Sequence, residues 1–309
     1  MADLSTSIFG LDLKNPVLAA SGTFAYGVEF APVADLEKLG AIVVKGLSRE
    51  PIAGNASPRV TETASGMLNS IGLQNIGVRA FVAEKLPQLA EFGVPVVANV
   101  FGFRIEDYVE VLRVLEDAEG LAAYELNVSC PNTHRGGLEF GVDAGALAEA
   151  VSAAKAAARR RPLIVKLSPN VSDIAEMARA AVDAGADGLS LINTLRGLAI
   201  STASRKPLLS TGYGGLSGPA IKPIALYMVH RVAATVDVPI IGMGGIATGE
   251  DVAEFLLCGA TAVQVGTASF WDPGRAAELP AELKGFLDRQ HIESAASLRG
   301  KLAMPQQMR

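Results

Sequence analysis

Val238-Pro239-Ile240-Ile241-Gly242-Met243-Gly244-Gly245 is a β-branched apolar run that breaks into glycine. Ala262-Val263-Gln264-Val265-Gly266-Thr267 repeats the pattern one unit later. A strand buried on both faces reads as a near-continuous apolar run, and glycine at its end lets backbone N–H groups approach a ligand. Six similar runs precede these two, at residues 16–20, 41–44, 94–98, 124–127, 163–165 and 188–192. Amphipathic stretches such as 173–184 and 249–257 lie between them. Eight strand–helix units specify an α/β fold, a (β/α)8 TIM barrel. The rival, an open doubly wound sheet, places its glycine fingerprint after the first strand. Here the glycine turns follow the seventh and eighth strands, where barrels build a phosphate site. Residues 48–75 and 196–218 read as loop insertions over the C-terminal face of the strands. No linker interrupts the pattern, so residues 1–309 are expected to form a single domain.

Composition narrows the class. Half of the residues are hydrophobic and 19% are charged, enough to bury a sizeable core. A net charge of −5, with no basic run longer than Arg159-Arg160-Arg161, argues against nucleic acid. That cluster is expected to sit solvated at a helix C-terminus. No basic-then-apolar leader opens the chain, and no apolar run is long enough to span a bilayer, so a cytoplasmic protein without membrane contact is expected. Two cysteines (Cys130, Cys258) and three scattered histidines (His134, His230, His291) show no ligand spacing, and no metal is expected.

In a barrel every strand ends on the same face, so the residues closing the runs converge. They are Ser21-Gly22, Lys45-Gly46, Asn99, Asn127, Lys166 and Asn193-Thr194, together with the two glycine turns. Three amides offer donors and acceptors suited to a planar heterocycle. A lysine at a strand end is often only a solvated rim residue, but two converging on an amide-lined pocket point to an anionic ligand. The Gly244-Gly245 and Gly266-Thr267 turns suit a phosphate. Cys130 follows the strand that ends at Asn127. It can be read as a small packed thiol beside a Pro-Asn turn or as a reactive group, and a cationic pocket favours the second by stabilising a thiolate. Covalent attack needs a base beside the nucleophile; proton abstraction does not, so Cys130 reads best as a base. Gly136-Gly137 gives the loop after it a hinge, hence a lid is expected there.

Over nearly its whole length the chain resembles class 1 dihydroorotate dehydrogenase. The motifs that carry the resemblance are Asn69-Ser70-Ile71-Gly72-Leu73-Gln74-Asn75, Asn127-Val128-Ser129-Cys130-Pro131-Asn132, Ile192-Asn193-Thr194 and Gly214-Gly215-Leu216-Ser217-Gly218-Pro219-Ala220-Ile221-Lys222-Pro223. The resemblance implies one FMN per chain, its phosphate on Gly244, Gly245, Gly266 and Thr267. Ser21, Lys45, Gly46, Asn99, Asn127, Lys166, Ile192 and Gly218 would line the rest of the cofactor, with Lys166 near the flavin N1–C2 edge. Orotate would be held by Lys45, Asn69, Ser70, Ile71, Gly72, Leu73, Asn127, Asn193 and Thr194. Cys130 would take the C5 proton of dihydroorotate while hydride leaves C6 for flavin N5, a step of pyrimidine biosynthesis.

The glycine-rich run 214–223 resembles class 1B, whose final acceptor is NAD. The family's partner there is an electron-transfer subunit carrying FAD and a two-iron, two-sulfur cluster, bound to a homodimer of the catalytic chain in a heterotetramer. Two cysteines cannot ligate such a cluster, and no Gly-x-Gly-x-x-Gly turn opens a strand–helix–strand unit here. Tyr213, Ser201 and the bulky Phe101/Phe103 pair depart from the family's pattern. A class 1A enzyme using fumarate, and a flavin-free phosphate-binding barrel acting as lyase or isomerase, are the competing readings.

Overall fold

A computed structural model describes residues 1–129, 131–132 and 138–305; for Pro131, Asn132 and Leu138 it gives the backbone only. Eight parallel strands close into a barrel: β1 (Val17–Ala19), β2 (Ala41–Val43), β3 (Val96–Val100), β4 (Ala123–Asn127), β5 (Leu163–Lys166), β6 (Gly188–Leu191), β7 (Ile240–Met243) and β8 (Ala262–Val265). Each pairs with the next in chain order, and β8 returns to β1 through Val263↔Val17 and Val265↔Ala19. This is the (β/α)8 barrel that the strand count predicts.

Two strands start two residues later than their apolar runs. β3 begins at Val96 and β7 at Ile240, each just after a proline, which has no N–H to give to the ladder. The proline carbonyls still accept: Ile42 N donates to Pro95 O at 2.9 Å and Leu189 N to Pro239 O at 3.0 Å. The shift carries Asn99 inside β3, where strand parity decides which way it points.

That parity organises the whole interior. Ala98, Val100, Tyr124, Leu126, Leu163 and Val165 belong to the core between strands and helices. The alternate residues Val97, Ala123, Ile164, Ile241 and Ala262 form a separate apolar cluster with Leu18, Ala41 and Val43. Ile8 and Leu13, from a hairpin of Thr6–Ile8 with Leu11–Leu13, join that cluster and close the N-terminal end. One inward step further along the same strands come Asn99, Glu125, Lys166 and Gln264, joined by Ser190 of β6. The barrel is therefore apolar below and polar above.

The surrounding helices begin where side chains can satisfy their free N–H groups. Asp173 accepts from Ala175 N at 2.9 Å to start Ile174–Asp183. Thr248 and Asp251 form a reciprocal capping box ahead of Gly249–Leu257. In the arginine cluster Arg159 and Arg160 are exposed as expected, but Arg161 is not. The Arg161 side chain is only 8% exposed and donates to the carbonyls of Leu115, Ala118 and Leu121. It lies over the Tyr124 ring, 5.9 Å from the centroid, and caps the end of Ile105–Glu116, a helix remote from it in sequence.

The two insertions meet each other. Val60–Thr63, Gly66–Asn69, Tyr213–Ser217 and Leu195–Leu198 make one antiparallel sheet, with Gly215↔Asn69 and Ser217↔Met67 in register. Gly215 is required there, because a Cβ would collide with the Thr194 hydroxyl. No helix among the described residues is long and apolar enough to cross a membrane.

Candidate functional site

A cavity of about 340 Å³ lies at the C-terminal end of the strands, within the size range of small-molecule sites. Ser21, Lys45, Gly46, Asn99, Asn127, Lys166, Ile192, Gly218, Gly244, Gly245, Gly266 and Thr267 all line it. So do Asn69, Ser70, Ile71, Gly72, Leu73, Asn193 and Thr194. Parity on the strands and the register of the inserted sheet bring these distant residues together. Cys130, His134 and Gly136-Gly137 lie outside the described residues.

The floor is built around Glu125, a fully buried carboxylate inside the barrel. Its Oε1 accepts from Asn99 Nδ2 at 2.6 Å and faces Lys166 Nζ at 3.8 Å. Its Oε2 accepts from Ser190 Oγ at 2.8 Å and Gln264 Nε2 at 2.6 Å. Lys166 is itself buried and donates to Ser21 Oγ at 3.4 Å. Gln264 Oε1 is buried and has no hydrogen-bond partner among the described residues.

Lys45 stands apart. Burial pushes its ammonium below the usual lysine range, and the positive Arg59 and Lys166 push it further. Among the described residues no carboxylate forms an ion pair with it. Lys45 is half-buried, and a partly desolvated cation without a counter-ion carries a cost that an anion arriving beside it removes.

Facing it, Asn193 Nδ2 donates to Ser129 Oγ at 2.9 Å and Asn127 Oδ1 at 3.4 Å. Tyr108 Oη fixes the Asn127 carbonyl at 2.9 Å. Asn170 Nδ2 holds the carbonyl of Thr194 at 3.0 Å. The loop at 69–73 completes this wall, tied back where Asn55 Nδ2 donates to Ser70 O at 2.9 Å. Its Ser70 hydroxyl is buried and has no partner among the described residues.

The glycine turns form the opposite wall. Gly244 (φ 127°) and Gly245 (φ 78°) are both left-handed, and a Cβ on Gly245 would lie 2.7 Å from Lys222 Cβ and 2.9 Å from Gly218 O. Gly266 is different: a Cβ there meets nothing nearer than 3.7 Å. The protein does not require glycine at that point, so its absent side chain leaves room in the cavity itself.

Several residues in or around the site escape the reading by strand ends, and of these Gln264, Ser129 and Phe101 line the cavity. Glu125, Ser190 and Gln264 sit inside runs that read as apolar, and only their spacing of two from inward neighbours marks them. Ser129 and Phe101 follow strand ends directly. Arg59 enters through the insertion, which local sequence does not position. Tyr213 is 65% exposed and Ser201 pairs with Lys206 in a small hairpin, both away from the cavity lining. Phe101 is buried and packs edge-on to Phe103, with ring centroids 6.1 Å apart.

A family model described as dihydroorotate dehydrogenase matches residues 3–287. A protein of Solibacter usitatus (strain Ellin6076) is 63% identical over 97% of this chain and 98% of its own length; its name is putative dihydroorotate dehydrogenase A (fumarate). Proteins of Geobacter sp. (strain M21) and Citrifermentans bemidjiense are 52% and 53% identical, each over 98% of this chain and 99% of its own length. Both are named dihydroorotate dehydrogenase B (NAD(+)), catalytic subunit. The chain belongs to the dihydroorotate dehydrogenase family, and with that membership come an oxidoreductase chemistry and a flavin cofactor.

Proposed function

We propose that this member of the family oxidises dihydroorotate to orotate in pyrimidine biosynthesis, with FMN as its flavin and the whole chain acting as one cytoplasmic domain. The observation that carries the reading is Lys45: a half-buried ammonium that no carboxylate among the described residues pairs with, beside a wall of amides. Orotate and dihydroorotate are planar or near-planar anions rich in amide groups, which is what such a wall recognises.

The cavity fits FMN on its own features. Gln264 Oε1 is a buried acceptor lacking a partner among the described residues, Gly266 leaves space for close approach, and the left-handed Gly244-Gly245 turn suits a phosphate. Ser21, Gly46, Asn99, Lys166, Ile192 and Gly218 would hold the remainder. When bound, FMN supplies the hydride acceptor. This chain's residues do the rest. Lys45, the 69–73 loop, Asn127, Asn193 and Thr194 hold and orient the substrate; Cys130 takes the C5 proton; Lys166 places positive charge beside the ring system.

For the final acceptor we favour NAD, reached through a partner subunit carrying FAD and a two-iron, two-sulfur cluster, with two copies of this chain in the assembly. The names of the Geobacter and Citrifermentans relatives support it, as does a chain with two cysteines, too few for a cluster. Fumarate is the second reading, favoured by the name of the Solibacter relative.

An anaerobic absorbance experiment on the purified chain tests both levels. Dihydroorotate is expected to bleach the flavin band, and neither NAD nor fumarate to restore it without the partner. Recovery with fumarate alone would overturn the NAD reading, and a chain that takes up no FMN would overturn the function.

A further inference from the structure

Glu125 is the one fully buried carboxylate among the described residues, and the proposed chemistry gives it no task. Its burial needs a reason. Removing a carboxylate from water costs several kcal/mol, and buried ion pairs rarely return more than an apolar replacement of similar volume. An apolar side chain at 125 would extend the cluster of Val97, Ala123 and Ile164 just below. What an apolar side chain could not do is orient the floor.

An ionised carboxylate only accepts hydrogen bonds. The NH2 groups of Asn99 and Gln264 must therefore face it, as their 2.6 Å contacts show, and their carbonyl oxygens must face elsewhere. Asn99 Oδ1 turns toward Gly46, where a Cβ would come within 2.9 Å of it. Gln264 Oε1 is left buried, with no partner among the described residues, at the cavity border. Ser190 spends its proton on the same carboxylate. Lys166 is the floor's cation, and Glu125 is the negative group beside it.

We propose that Glu125 is a positioning residue for the flavin site: it turns both floor amides so that they offer acceptors to the flavin's donor groups, and it balances the charge of Lys166. The inference rests on the functional reading above and deepens it. It makes the floor selective for flavin groups that donate, and sets how much positive charge the flavin meets.

The test uses the full chain with FMN bound, reading the FMN dissociation constant and the flavin midpoint potential. Glu125→Gln keeps the size, removes the charge and introduces a competing donor. It is expected to weaken FMN binding about ten-fold, as two oriented acceptors are lost, and to shift the midpoint potential positive. The sign follows from Lys166, which then faces the electron-rich reduced ring unbalanced. A merely structural Glu125 would lower the melting temperature but leave the potential of the retained flavin unmoved. That result, or an unchanged affinity and potential, overturns the inference. If Glu125→Gln does not fold, Gln264→Met decides: it keeps the carboxylate and removes one acceptor, so several-fold weaker FMN binding is expected and unchanged binding overturns the inference. A wild-type chain that binds no FMN overturns the functional reading along with it; a wild-type chain that binds FMN while the variants match it overturns this inference alone.

Discussion

Val97 and Asn99 stand on one face of one strand, a single inward step apart, yet they belong to different solvents. Val97 packs into the apolar cluster with Ile164 and Ala262, while Asn99 donates into the carboxylate of Glu125. The same contrast holds between Ala123 and Glu125, Ile164 and Lys166, and Ala262 and Gln264. Backbone geometry at the two levels is the same, so side-chain chemistry alone separates a stability end from a ligand end. At the lower end burial is favourable in itself. At the upper end each buried polar group needs a partner, and those still lacking one in the protein show where a ligand's groups are wanted.

The two ends should respond to substitution in different measurements. The largest effect is expected at the upper end from Cys130→Ser: a hydroxyl is a far weaker base than a thiolate, so reduction of the flavin by dihydroorotate at neutral pH should slow by about 10²-fold or more, with the melting temperature unchanged. Stopped-flow absorbance checks it, and an unchanged rate removes Cys130 from the mechanism. Ile164→Ala at the lower end should cost about 2–5 kcal/mol of unfolding free energy while leaving orotate affinity alone. A large loss of affinity in a variant that remains folded would show that the two layers are coupled.

Lys45→Met should weaken orotate binding by about 10- to 100-fold, the scale of a hydrogen bond to a charged group, and should also raise the melting temperature of the ligand-free chain. The pH dependence has a definite sign. Lys45 is held below its ordinary value, so the folded state binds its proton less well than the unfolded state does. The penalty is fully present below the folded value, and ligand-free stability rises with pH between that value and the ordinary lysine range. Orotate affinity falls over the same window as the cation is lost. Calorimetric titration from neutral to alkaline pH would detect it, and a flat profile would separate Lys45 from the anion. The smallest effect belongs to the outer layer: Asp173→Ala removes a helix cap, is expected to cost about 1 kcal/mol, and should leave every ligand constant in place.

How far the sequence discloses this arrangement depends on the distance over which each signal acts. The barrel is legible because each apolar run is its own statement of burial, and eight of them leave few alternatives. Boundaries drifted by two residues at Pro95 and Pro239, since a proline can be apolar in composition and still be unable to enter a ladder. The rim residues Lys45, Asn99 and Asn193 were visible as polar residues closing apolar runs. Glu125 and Gln264 were not, because a lone polar residue within an apolar run shows only that it is buried; its partners come from strands far away in sequence. Arg161 misled for the same reason. Its neighbours suggest a solvated helix end, whereas the carbonyls it caps lie some forty residues earlier.

The sheet made from the two insertions bears on the order in which the molecule is made. Asn69 Nδ2 donates to Gly215 O across 146 residues of chain, at 3.4 Å, and the last barrel strand must return to Val17 before the ring closes. Contacts so remote in sequence form late, because loop closure must come before any of their gain. A nascent chain halfway through synthesis holds Lys45 and the 69–73 loop but neither the strand that shapes that loop nor the final staves of the barrel. The catalytic mouth therefore comes into being only near the end of translation, and truncated chains are born without it.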